Sequence, residues 1–157
     1  MRDSSKGFSL IELLVVVAVI LIIAAIAIPN FIQSKERANE AAAVQNLRNI
    51  TTAEVVYSTT YGIEFSPDLL SLTGNGVTVD QSHAALIDEV LAAGKKNGFL
   101  YTYKPIKTDT LGHVIEYSVN ADPQVPGSTG QRHFYTDQSG VIRENDSTTA
   151  GPSDPGI

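Results

Sequence analysis

A single acidic residue, Glu12, lies inside an otherwise apolar run from Phe8 to Ile28. That run is 21 residues long, and as a helix it measures roughly 31 Å, the thickness of a bilayer core. A segment of this kind folds as a helix that crosses or lines a membrane, because its backbone polar groups must be satisfied within the segment. A carboxylate near the middle of such a helix costs about 2.5 to 3.5 kcal/mol on insertion scales, and less near an end. A plain anchor gains nothing from Glu12. A segment whose partner brings a positive charge does.

About 130 residues follow the apolar run, enough for one modest domain. The chain has 157 residues, 43% of them hydrophobic, and a net charge of −6. The acidic balance argues against a nucleic-acid partner. There is no cysteine, so disulfide staples and thiolate chemistry are excluded.

Three readings of the N-terminus compete. In the first, Arg2 and Lys6 form the basic region of a secretory signal and Ala25-Ile26-Ala27 its cleavage site. Glu12 interrupts the apolar region that such a signal needs, and Pro29 crowds the scissile bond. In the second, the run is a single-span anchor of a non-polymerising periplasmic domain, which leaves Glu12 without a role. The third takes in the short leader. Residues 1–7 are polar, carry Arg2, Asp3 and Lys6, and end in Gly7. The sequence Lys6-Gly7-Phe8-Ser9-Leu10-Ile11-Glu12-Leu13-Leu14, continued by Ile26-Ala27-Ile28-Pro29-Asn30-Phe31, resembles the class III signal of type IV pilins and pseudopilins.

That resemblance implies cleavage between Gly7 and Phe8 by a prepilin peptidase and N-methylation of the new Phe8 terminus. It also implies an inner-membrane assembly platform and polymerisation of the chain with copies of itself into an extracellular filament. The physics is consistent. Cleavage creates an ammonium on Phe8, which can pair with Glu12 of a neighbouring copy, so that two charges costly in hydrocarbon offset one another. Losing the leader removes two basic and one acidic side chain and leaves a balance of −7.

Pro29 removes a backbone donor and crowds the carbonyl four residues back, so a kink is expected there. The helical pattern resumes at once. Asn30 to Tyr61 holds no Gly or Pro and is rich in helix formers. Ala43, Leu47, Ile50, Ala53, Tyr57 and Tyr61 form one apolar stripe. Lys35, Glu36, Glu40, Gln45, Arg48 and Asn49 are read as the solvated face, and Gly62 as the stop.

Beyond Gly62, Ser66-Pro67 opens a short helical turn and Ser82 caps a second helix over His83 to Ala93. Lys95 to Gly98 reads as a turn. Strands are expected over Phe99 to Ile106, Val114 to Asn120, His133 to Thr136 and Val141 to Arg143, the last pair joined by Asp137-Gln138-Ser139-Gly140. The expected fold is therefore α+β: a long kinked N-terminal α-helix packed on a small four-stranded antiparallel sheet head. The expected divisions are a leader (1–7), a membrane or filament-core half-helix (8–28), an amphipathic half-helix (29–61), a head (62–144) and a flexible tail (145–157).

Nothing in the sequence points to an enzyme or to a cofactor. His83, His113 and His133 share no metal-ligand spacing, and no serine sits in a Gly-x-Ser-x-Gly elbow. Asp122, Asp137, Asp146 and Asp154 read as turn formers rather than as a calcium loop. Lys95, Lys96, Lys104 and Lys107 read as a solvated turn. The choice between a pilus subunit and a pseudopilin of a type II secretion pseudopilus stays open at this level, with the pilus preferred.

Overall fold

The computed structural model describes residues 7–157. The expected leader residues Arg2, Asp3 and Lys6 lie outside them. The described residues fall into two compact units, one ending at Ser34 and the other Lys35–Ile157.

In the first unit, helix α1 (Leu10–Tyr61) begins. At its start Ser9-Leu10-Ile11-Glu12 matches the Ser-x-x-Glu capping-box pattern, and one half of the box forms. The Ser9 N–H donates to Glu12 Oε2 at 2.9 Å, and the Leu13 N–H reaches Ser9 O at 3.3 Å. The membrane-length window of α1 has none of its residues buried within the chain. α1 continues through Pro29. Just beyond the proline, Asn30 Nδ2 donates to Ile26 O at 3.0 Å and Ser34 Oγ to Asn30 O at 2.9 Å. These side chains add donors to a stretch where proline has removed one.

The second unit is built on the later turns of α1. Ala43, Leu47, Ile50, Ala53 and Tyr57 are buried, as the stripe predicts, and Tyr61 packs at its margin. They share one core with Phe99, Tyr101, Tyr117, Val119, Ala121 and Phe134 from an antiparallel sheet, and with Ile142 just before its last strand. The sheet has five strands in sequential order: β1 (Lys95–Lys96), β2 (Phe99–Thr108), β3 (Val114–Pro123), β4 (His133–Asp137) and β5 (Arg143–Asn145). The long pairing of β2 with β3 places Tyr101 opposite Ala121 and Tyr103 opposite Val119. β3 is buried along most of its length, as a central strand should be.

Five expectations are corrected. The sheet has five strands rather than four, because Asn97 and Gly98 (φ 50 and 75) form the turn alone. This positive-φ pair folds Lys95 and Lys96 back on β2. The second helix is only Glu89–Ala92, capped by Asp88 through Leu91 N–H at 3.1 Å, not by Ser82. The left-handed Ala85 (φ 55) breaks the helical path earlier, and Ala84 and Leu86 donate instead to Ser71 O and Leu72 O. Ser66 does not cap the 3₁₀ turn at Leu70–Leu72; Asp68 does, accepting from Ser71 N–H at 2.8 Å. Glu40 is not on the solvated face but buried.

The fifth correction concerns the tail, which is packed rather than free. Asn120 Nδ2 donates to Ala150 O at 2.7 Å, and Ala150 is buried. Arg143 pairs with Gly156 as in an added strand, with Glu144 N–H to Pro155 O at 3.0 Å and Ile157 N–H to Ile142 O at 2.9 Å. Arg143 also reaches Asp154 O. The Ser, Gly and Pro content that suggested mobility instead supplies the turns that let the segment follow the edge of β5.

Candidate functional site

The first turns of α1 carry the residues singled out from sequence. Gly7 and Phe8 precede the helix, and Phe8 is 79% exposed. One turn on, Phe8, Ile11, Glu12, Val15 and Val16 border a shallow apolar concavity. Glu12 holds the Ser9 amide, so its carboxylate sits at the N-terminal end of the helix dipole, where negative charge is stabilised. The arrangement offers an acceptor beside the site of the proposed new amino terminus. Pro29 lies within the same helix.

Two further carboxylates on α1 are buried, Glu40, expected on the solvated face, and Glu54, which the sequence did not single out. Glu40 Oε1 accepts from the backbone N–H groups of Gln131 (2.8 Å) and Arg132 (3.1 Å), and Oε2 accepts from Arg132 Nε at 2.9 Å. Arg132 Nη1 donates onward to Glu144 at 2.7 Å. Burial alone would raise the Glu40 pKa, but these donors and the guanidinium charge outweigh it and hold the carboxyl below its usual range. The network fastens α1 to the start of β4.

Glu54 is wholly buried. It accepts from Ser66 N–H at 2.9 Å and Ser66 Oγ at 2.7 Å. Among the described residues no cation pairs with it. Burial pushes its carboxyl up to about 7, against the opposing pull of the Ser66 hydrogen bonds and of the nearby Tyr103 hydroxyl. A signal for Glu54 existed: it lies seven residues past Leu47 and three before Tyr57, on the apolar stripe. The apolar stripe drawn from the sequence passed over it because it is acidic.

The histidines stay apart. His83, His113 and His133 each meet a different aspartate: Asp80 at 3.5 Å, Asp109 at 3.1 Å and Asp122 at 2.6 Å. No group of three metal-ligating side chains occurs among the described residues. Of the four lysines, Lys96 is paired with Asp88 and Lys107 with Glu116, which leaves little net positive surface. Asp137 is a turn former, accepting from Ser139 N–H at 2.8 Å. Asp154 serves the tail, accepting from Asn145 and Gly151.

The long apolar helix, its N-terminal acid and the helix-on-sheet head define a pilin-like architecture. Residues 2–28 match the family model described as the prokaryotic N-terminal methylation motif. The chain is 52% identical over 50 residues to the type IV major pilin protein PilA of Myxococcus xanthus, covering 32% of this chain but only 23% of that protein. It is 28% identical over 149 residues to the type IV wide pilus major component PilA4 of Thermus thermophilus, covering 94% of this chain and 93% of the relative. It is 35% identical over 112 residues to a fimbrial protein of Pseudomonas aeruginosa, covering 60% and 72% respectively. The chain belongs to the type IV pilin family. Its relatives are structural subunits, not enzymes.

Proposed function

We propose that this chain is a structural subunit of a type IV pilus. It is made as a prepilin, held in the bacterial inner membrane by residues 8–28, and polymerised through its N-terminal helix. Prepilin peptidase cuts between Gly7 and Phe8 and methylates the Phe8 amine. An inner-membrane assembly platform then passes the subunit to the filament base. Pro29 bends or loosens the helix where the apolar half meets the amphipathic half.

The observation that carries this reading is the position of Glu12. In the free subunit its carboxylate caps its own helix through Ser9. In the filament it pairs with the Phe8 ammonium of an adjoining copy. Breaking a buried ion pair by removing one partner costs about 3 to 5 kcal/mol, enough to select one axial register over its neighbours.

The test is a Glu12→Val strain, followed by immunoblot of membrane and sheared surface fractions and by N-terminal sequencing. The variant is expected to be processed at Phe8, to accumulate in the membrane and to be missing from filaments. Wild-type piliation in this strain refutes the pairing. A mature wild-type chain starting at Met1 or Ile28 refutes the prepilin reading itself.

A further inference from the structure

The segment that follows α1 is fastened to the helix at one point, and that point has two complete proton arrangements of unequal quality. Ser66 Oγ lies 2.7 Å from Glu54 Oε1 and 3.0 Å from the Asp68 carbonyl oxygen. A hydroxyl has one hydrogen to donate. If Glu54 is neutral, its O–H donates to Ser66 Oγ, and Ser66 donates onward to Asp68 O. The Ser66 N–H still donates to Glu54 Oε2, and Tyr103 O–H donates to Ser66 O at 2.6 Å. Every group is then satisfied. If Glu54 is ionised, Ser66 must turn its hydrogen to the carboxylate, and the Asp68 carbonyl loses that donor.

The surroundings favour the neutral arrangement. From α1 the nearby titratable group is Tyr57, whose hydroxyl donates to Gln81 O. From β2 it is Tyr103, and from β3 Tyr117, which stacks on Tyr103 at 5.5 Å. From the segment itself it is Asp68, whose carboxylate holds Ser71. Asp80 and Asp137 stand further out, acting on Tyr57 and Tyr117 respectively. All of these are neutral or negative. A carboxylate here is therefore a buried charge with no counter-ion, whereas a carboxylic acid costs far less.

We propose that Glu54 and Ser66 form a proton-dependent clasp that holds the segment from Ile63 to Leu72 on the head and loosens it when the clasp loses its proton. The closed clasp keeps the proton. Opening exposes Glu54 to water, where it ionises, and the proton leaves to solvent. Rising pH therefore favours opening, and falling pH closes the clasp. The raised carboxyl of Glu54 supports this direction. The clasp lies wholly within the Lys35–Ile157 unit.

The experiment is amide hydrogen exchange on the full chain in detergent micelles, as protection factors that remove the intrinsic pH dependence of exchange. Between pH 5 and pH 8, protection across Ile63–Leu72 is expected to fall by up to about 70-fold, and at every pH to stay below that of Val119 in β3, because the segment opens without the sheet. Glu54→Gln is expected to flatten that profile. A flat wild-type profile, or protection across Ile63–Leu72 equal to that of Val119, overturns the clasp. A second measurement needs no variant: the side-chain carbonyl resonance of Glu54 is followed against pH in wild-type protein. A midpoint near neutrality supports the clasp, and one in the ordinary carboxylate range overturns it.

Discussion

Replacing Glu40 by alanine tests whether α1 is fastened to the sheet by one buried carboxylate. The change strips the acceptor from the backbone N–H groups of Gln131 and Arg132 and from Arg132 Nε. A buried donor left unsatisfied costs about 1 to 3 kcal/mol. The guanidinium recovers part of its loss, because the Arg132 side chain is 40% exposed and keeps its 2.7 Å bond to Glu144. Gln131 is exposed and Arg132 half-buried, so water also reaches part of the two backbone donors, and Glu40→Ala is expected to cost about 2 kcal/mol. For a domain of this size that lowers the melting temperature by roughly 8 °C. The assay is urea and thermal unfolding of the full chain in micelles, followed by circular dichroism.

A double-mutant cycle with Arg132→Ala isolates the charged contact, for which a coupling of about 1 to 2 kcal/mol is expected. The pH dependence has a defined sign. Glu40 is held below its ordinary value of 4.5, so its contribution is present above that value and is lost as pH falls through the folded-state pKa. Glu40→Ala should remove that acid-side loss. A destabilisation under about 1 kcal/mol, or an unchanged acid limb, refutes the assignment.

Glu54 gives the opposite slope: with its carboxyl raised from 4.5 to about 7, stability is full below 4.5 and falls by about 3 kcal/mol as pH rises to 7. Unfolding titrations at pH 4.5 and 7.5 measure this, and Glu54→Gln should reduce the difference. Gly130→Ala would set a Cβ 2.7 Å from Cζ of the fully buried Phe99, so a cost of about 1 to 3 kcal/mol is expected by thermal melting; an unchanged melt would contradict the tight contact. Ending the chain at Ser147 removes the acceptor of the buried Asn120 side chain and the strand pairing along β5. A loss of about 2 to 4 kcal/mol and faster proteolysis of the β4–β5 region are expected.

The long N-terminal helix and its family motif were legible because their constraints are local. Length, apolarity and a single acid at fixed spacing need no tertiary information. The stripe from Ala43 to Tyr57 was legible for the same reason, since helical period alone places it. Glu40 was not, because its burial depends on donors at Gln131 and Arg132 that only the folded chain supplies. Glu54 had a place on the stripe, but the Ser66 donors that let an acid stay there come from the segment beyond the helix. The short helix failed for another reason. The pattern from His83 to Ala93 favours a helix, but hydrogen bonds to Ser71 and Leu72 outcompete it over the first half. The tail was misread because composition reports the likelihood of a core, whereas this segment is ordered by backbone pairing at a sheet edge.

That pairing has a consequence for how the subunit matures. The last residues are secured to Ile142, Arg143, Asn145 and Asn120 by hydrogen bonds alone, in a chain without cysteine. Closure of the head therefore needs no oxidant, no disulfide exchange catalyst and no waiting for a slow covalent step. It can finish in anaerobic or reducing surroundings as readily as in air, at the pace of strand docking.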